Sequence, residues 1–155
     1  MTNMYKHILI PTDGSDLSQQ AIEHGIALAK AVGAKVTALT VTEPFYVSAF
    51  EPNMVEHYKR HVGALATKNL DTAKNAASTS DVPCEVVCLE HEHPYQAIID
   101  VAQARGCDAI VMASHGRKGT SAIVLGSETV KVLTHSPIPV VVVRGQKRSD
   151  YFAAS

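Results

Sequence analysis

The sequence predicts a single α/β domain in which five parallel strands alternate with four helices, and three observations carry that prediction. Short apolar runs rich in β-branched residues recur along the chain, separated by amphipathic stretches of helix length, which is the rhythm of βαβ units. The runs are apolar throughout rather than alternating, as strands covered on both faces of a parallel sheet are. Of the 155 residues, 46% are hydrophobic but only 5% aromatic, with no Trp, so the interior must be built from Val, Ile, Leu and Ala. A chain of this length makes one domain whose folding buries roughly 70% of its unfolded surface, enough for a core without metals or staples. Residues 1–145 are read as that domain and residues 146–155 as a polar tail.

The elements follow in order. His7-Ile8-Leu9-Ile10 is the first strand, closed by Pro11-Thr12-Asp13-Gly14-Ser15-Asp16, a cluster of turn and cap residues. From Ser15 to about Val32, Ala21, Ile22, Gly25, Ile26, Leu28 and Ala29 recur at helical spacing, and Gly33 stands where a C-cap belongs. Lys35–Val41 is the second strand, ending at Glu43-Pro44, and the loop to Pro52 holds Phe45, Tyr46 and Phe50. A second helix runs from about Asn53 to Ala77 with an irregular apolar face, and Asp81-Val82-Pro83 breaks it. Cys84–Leu89 is the third strand. His93-Pro94 opens a helix that runs to about Arg105 and is ended by Gly106. Asp108–Ala113 is the fourth strand, Ser114–Thr120 a glycine-bearing segment, Ser121 to Thr134 the fourth helix, and Pro139–Arg144 the last strand.

Charge and cysteine usage exclude several classes. Fourteen Lys+Arg against 15 Asp+Glu leave a net charge of −1, so no global basic field is present to hold a nucleic-acid backbone. No apolar run approaches ~18 residues and the N-terminus lacks a signal-peptide pattern, so the expectation is a cytoplasmic protein without membrane insertion. Three cysteines cannot all pair, which fits a reducing compartment. Cys84 and Cys88, four apart in a strand, lie too far apart for a disulfide and are read as core fillers. His57 and His61 share a helix face and His91-Glu92-His93 is a tight cluster, but H-E-x-x-H is absent, so solvated histidines are the expectation and no metal site is assigned.

Open α/β sheets bind ligands outside the carboxyl ends of their strands, where the strand order reverses. Two loops belong there. In Pro11-Thr12-Asp13-Gly14-Ser15 the Asp13 carboxylate is placed to accept hydrogen bonds from sugar hydroxyls, with helix capping as the plain alternative. In Ala113-Ser114-His115-Gly116-Arg117-Lys118-Gly119-Thr120, continuing to Gly126-Ser127-Glu128, glycines let backbone N–H groups approach an anion, and a helix start adds partial positive charge. Neither G-x-x-x-x-G-K-[ST] nor G-x-G-x-x-G is present, which argues against a P-loop enzyme or a dinucleotide-binding domain. Ser114-His115 are adjacent, so on extended chain their side chains diverge, and no G-x-S-x-G elbow exists, so no catalytic residue is assigned.

Together these residues resemble the universal stress protein family. The resemblance rests on the Pro11-x-Asp13-Gly14-Ser15 loop after the first strand, on the pattern G-x2-G-x9-G-[ST] after the fourth, and on an apolar last strand after Ser136-Pro137-Ile138-Pro139, and it covers residues 5 to 144. It implies an open, doubly wound five-stranded parallel sheet of order 3-2-1-4-5 in a three-layer sandwich, binding ATP, or AMP or ADP, with Mg²⁺ able to accompany ATP. By the same resemblance Pro11, Thr12 and Asp13 would lie near the base and ribose, and Val41 would meet the adenine edge through its backbone. Met112, Ala113 and His115 would flank the site, while Gly116, Gly126, Ser127 and the backbone N–H of Glu128 would cradle the phosphates. Arg117 and Lys118 are read either as partners of the terminal phosphates or as solvated loop cations.

One position departs from the pattern, since Ala113 stands where the first glycine belongs. A left-handed backbone there would cost roughly 1–2 kcal/mol, about a tenfold loss of affinity, whereas an extended backbone would tolerate alanine; the end of a strand implies the second. The family also implies a stress-response homodimer paired through Val140–Val143, an apolar strand at the sheet edge that would otherwise be bare. Its protein partners are not legible in the sequence. The alternatives that the residues leave open are a slow ATPase or phosphotransferase, and a nucleotide-free interaction module of the same fold.

Overall fold

The computed structural model describes residues 4–44, 52–116 and 125–145. The elements are β1 (His7–Pro11), α1 (Asp16–Val32), β2 (Lys35–Thr42), α2 (Pro52–Thr79), β3 (Cys84–Glu90), α3 (Pro94–Ala104), β4 (Ala109–Ala113), α4 (Ser127–His135) and β5 (Val140–Val143). The expected loop aromatics Phe45, Tyr46 and Phe50, the start of the fourth helix over 121–124, and the tail over 146–155 lie outside the described residues.

The strands form one parallel sheet of order β3-β2-β1-β4-β5. β1 is central, so its side chains are inaccessible on both faces: Ile8 and Leu9 are 0% exposed. Alternation then sorts the layers. Ile8 and Ile10 pack with Val111 against Ile22 and Ile26 of α1 and Leu70 and Ala73 of α2. Leu9 packs with Ile110 and Met112 against Ile98 and Val101 of α3 and Val132 of α4. The result is a three-layer sandwich with α1 and α2 on one face and α3 and α4 on the other.

Local chemistry sets the ends of the elements. Ser15 caps α1 by accepting from Ser18 N–H, and Gly33 ends it in the left-handed conformation at φ 74°, its N–H donating to the Ala29 carbonyl. Asp108 precedes β4 rather than starting it, because its carboxylate accepts from Lys6 N–H at 2.9 Å and His7 N–H at 3.1 Å. α4 begins at Ser127, preceded by an extended Gly126 (φ −64°, ψ 154°) at its N-cap. The expectation that Cys84 and Cys88 fill the core is corrected at Cys88, which is exposed, while Cys84 is half-buried and Cys107 buried. β3 is an edge strand, so alternate side chains reach solvent despite the apolar run, and Val86 is 40% exposed. Among the described residues no helix is long and apolar enough to cross a membrane.

Candidate functional site

Strand order reverses beside β1, because α1 returns the chain to β2 on one side while β4 lies on the other. The carboxyl ends of β1, β2 and β4 therefore splay around a crevice. A cavity of about 780 Å³ lies there, within the range that holds small ligands.

The floor at the end of β1 is set by hydroxyls. Thr12 N–H donates to the Leu39 carbonyl at 2.8 Å, and Thr40 Oγ1 donates to the Thr12 carbonyl at 3.0 Å, so β2 clamps the loop from both sides. Ser18 Oγ donates to the Ser15 carbonyl at 2.9 Å, which leaves it to accept from Thr12 Oγ1 at 3.1 Å. Thr12 Oγ1 in turn accepts from Gly14 N–H at 3.3 Å. Gly14 sits at φ 80°, where a side chain would be strained, and Asp13 Oδ1 accepts from Ser15 N–H at 3.0 Å. These six hydrogen bonds fix the loop that carries Asp13 to the cavity edge.

The opposite rim joins the end of β4 to the start of α4. Ser114 N–H donates to the Val143 carbonyl at 2.9 Å, Gly126 N–H to the Ser114 carbonyl at 2.7 Å, and Thr129 Oγ1 to the Ala113 carbonyl at 3.0 Å. These bonds press α4's first turn onto the strand end. Among the described residues no side-chain hydrogen bond caps that turn, so the N–H groups of Ser127 and Glu128, which line the cavity, are donors without a helical partner. Ala113 lies in β4, and Asp81 is the one non-glycine residue at positive φ among the described residues, so alanine is unstrained at this position. The close approaches are steric. A Cβ on Gly126 would stand 3.1 Å from His115 Cα, and one on Gly116 would overlap Asp13 Oδ2.

Pro11, Thr12, Asp13, Val41, Met112 and Ala113 all line the cavity. So do His115, Gly116, Gly126, Ser127 and Glu128. Arg117 lies outside the described residues, as do Lys118, Gly119 and Thr120. The Glu128 carboxylate turns away, accepting from Tyr95 N–H at 2.8 Å and from Lys131 Nζ at 3.4 Å, so it serves as a cap for α3 across the helix pair. His93, at the N-cap of α3, makes no capping bond of its own.

A further wall was not read from the sequence. α2 contributes Tyr58, Val62, Leu65, Ala66 and Asn69, a stripe at helical spacing. The spacing itself was the available signal, but the same pattern describes a core face. The charged side chains among the described lining residues are the carboxylates of Asp13, Glu43 and Glu128, with no lysine or arginine. An anion bound there would be met chiefly by backbone N–H groups. His57 and His61 are exposed on α2, and among the described residues no three His, Cys, Asp or Glu side chains are grouped to hold a metal.

Comparison with known proteins gives a consistent result. A family model described as the universal stress protein family matches residues 4–144. Universal stress protein MJ0531 of Methanocaldococcus jannaschii is 34% identical over 150 residues, covering 94% of this chain and 86% of that protein. A universal stress protein of Thermus aquaticus is 32% identical over 141 residues, covering 91% of this chain and 100% of that protein. Among solved structures, protein MJ0577 superposes with a TM-score of 0.80 at 28% identity, covering 93% of this chain and 99% of that one. A universal stress protein solved in complex with cAMP superposes with a TM-score of 0.69 at 25% identity, covering 90% and 97%.

Proposed function

Because the chain belongs to the universal stress protein family, whose model spans residues 4–144, we propose that it binds an adenine nucleotide, ATP foremost, in the cavity at the carboxyl ends of β1, β2 and β4. The observation that carries this reading is the meeting, in one cavity of about 780 Å³, of three chemically different walls. The uncapped start of α4 beside Gly116 and Gly126 suits phosphates. Asp13 suits a sugar hydroxyl, and Val41, Met112 and the apolar face of α2 suit a base. A relative solved with cAMP supports the ligand class. Mg²⁺ accompanying ATP would be held mainly by phosphate oxygens and water.

The nucleotide acts here as a bound signal. Pro11, Thr12 and Asp13 orient it, and the N–H groups of Ser127 and Glu128 neutralise its charge. The described lining offers no nucleophile paired with a base, so turnover is not assigned. The nucleotide-free alternative rested on Ala113 together with the loop after it; the strand backbone at Ala113 accommodates alanine, which supports the nucleotide reading at that position, and residues 117–124 of the loop lie outside the described residues. The protein is read as a cytoplasmic stress-response dimer. β5 lies at the sheet edge, half-buried along its whole length, and Val130 and Leu133 of the adjoining α4 are 45% and 42% exposed, an apolar surface that a second copy would cover. Light scattering at micromolar concentration should give twice the chain mass, and a monomer there refutes the dimer.

The test of the main reading is direct. Purified protein is denatured and the released small molecules are identified by chromatography and mass spectrometry. Near one adenine nucleotide per chain, either as purified or after incubation with Mg-ATP, is the expected result. None in either case sinks the proposal, and phosphate released over hours would establish turnover instead.

A further inference from the structure

We infer that Asn69 of α2 reads the ribose of the bound nucleotide, as the donor partner of the acceptor Asp13. This rests on the nucleotide reading above and extends it to a wall that no motif of the chain marks. Asn69 lines the cavity and is half-buried, and among the described residues its amide makes no hydrogen bond. The other α2 groups facing the cavity are the ring of Tyr58 and the apolar side chains of Val62, Leu65 and Ala66. The amide is open to the cavity, so its donor and acceptor are available to a ligand there.

Its position says what that is. A Cβ on Gly14 would overlap Asn69 Oδ1 and stand 2.8 Å from Asn69 Cγ and 2.9 Å from Asn69 Nδ2, so the amide lies close against the Gly14 backbone. Asp13 Oδ2 in turn occupies the space where a Cβ on Gly116 would stand. The amide beside Gly14 and the carboxylate of the preceding residue both line the cavity, one a carboxylate that only accepts, the other an amide that donates and accepts. A vicinal diol is the group that matches such a pair, because each hydroxyl gives one proton and takes another. Asp13 takes a hydroxyl proton, and Asn69 Nδ2 donates to the neighbouring hydroxyl oxygen. The apolar part of the α2 stripe, running from Ala66 towards Tyr58, then lies where a base attached to that sugar would extend.

The experiment compares two ligands on two variants. Asn69→Leu keeps the branched shape at Cγ and removes the polar atoms, Asn69→Ala removes the bulk as well, and the thermal midpoint of each without ligand reports folding. Affinities for ATP and for 2′,3′-dideoxy-ATP are measured by calorimetry. Both variants should bind ATP about tenfold more weakly than the parent and bind the dideoxy analogue within twofold of it. Equal losses for both ligands would make Asn69 a packing residue and overturn the inference, as would no loss for either. A parent chain that binds ATP and the dideoxy analogue equally well overturns it alone. A parent that binds neither overturns the nucleotide reading and this inference with it.

Discussion

Replacing Gly126 tests whether phosphates sit at the start of α4. Its backbone, at φ −64° and ψ 154°, is open to any residue, so a substitution there acts by contact and not by backbone strain. A new Cβ would stand 3.1 Å from His115 Cα, 3.3 Å from His115 Cβ and 3.4 Å from the Ser114 carbonyl oxygen. The nearest of these is backbone, which cannot rotate aside. It is also pinned, by the 2.7 Å bond from Gly126 N–H to the Ser114 carbonyl and the 3.0 Å bond from Thr129 to the Ala113 carbonyl. Alanine must therefore push the His115-Gly116 segment away from α4 by a few tenths of an ångström. Overpacking of this kind costs about 1 kcal/mol for a methyl and about 3 kcal/mol for a branched side chain. For Gly126→Ala this means a thermal midpoint lower by about 2–4 °C and ATP binding about fivefold weaker. For Gly126→Val the loss of affinity is about a hundredfold. Calorimetric titration with Mg-ATP and thermal melts of the free proteins measure both. A natively folded Gly126→Val protein that binds ATP within twofold of the parent refutes the placement of phosphates at this turn.

Other expectations concern stability and reactivity. Glu128→Ala removes the carboxylate that accepts from Tyr95 N–H, leaving α3's first turn without its acceptor; the cost is about 1 kcal/mol, or about 2–4 °C by scanning calorimetry, and Glu128→Gln should keep most of it. His7 is 4% exposed, its Nδ1–H donating to the Arg105 carbonyl and its Nε2 accepting from Thr37 Oγ1, and burial, aided by Lys35, holds its pKa below the ordinary 6.5. The unfolded chain then takes up the proton first, so stability is complete above about pH 6.5 and is lost as pH falls through the lowered folded value. Denaturant midpoints from pH 8 to 5 should fall in the parent and fall less in His7→Gln, and a flat parent curve contradicts this. Burial, with Asp108 beside it, pushes the Cys107 thiol up to about 11, while Cys88 is exposed. A maleimide pulse at about pH 8 read by mass spectrometry should label Cys88 first and Cys107 only on unfolding.

The fold was legible because each level of the sequence pointed the same way. Ile8–Ile10 and Ala109–Ala113 are apolar without alternation because both faces of the central strands are covered, and Ser15 and Gly33 mark the ends of α1 by their own chemistry. Sequence reading failed where position in the sheet mattered more than composition. Cys84–Glu90 looks like the other strands, yet β3 stands at an edge, and Cys88 reaches solvent. At the fourth helix the described part opens at Ser127, with Gly126 extended and its N–H donating to the Ser114 carbonyl, while 121–124 lie outside the described residues. Glu128 was read as a backbone donor, and its carboxylate proved to be engaged with α3, which no local spacing announces because Tyr95 is 33 residues away.

The candidate site shows the same division between what is local and what is not. Loops after β1 and β4 announce themselves by glycine, aspartate and serine, because turns and anion cradles require those types at fixed places. Helix α2 announces nothing, since a residue facing a cavity and one facing a core obey the same 3.6-residue period. Val62, Leu65 and Ala66 face the cavity, while Leu70, Ala73 and Ala77 of the same stripe are buried against the sheet. The change of role falls at Asn69, the polar residue between the two groups. At 1.5 Å per residue a helix that is to reach past the strand ends must be long, and the 28 residues of α2 span about 42 Å. Its second half is held by the core and its first half is free to wall the ligand. The length of α2, more than any motif in it, is what walls the crevice at the strand ends into a cavity of about 780 Å³.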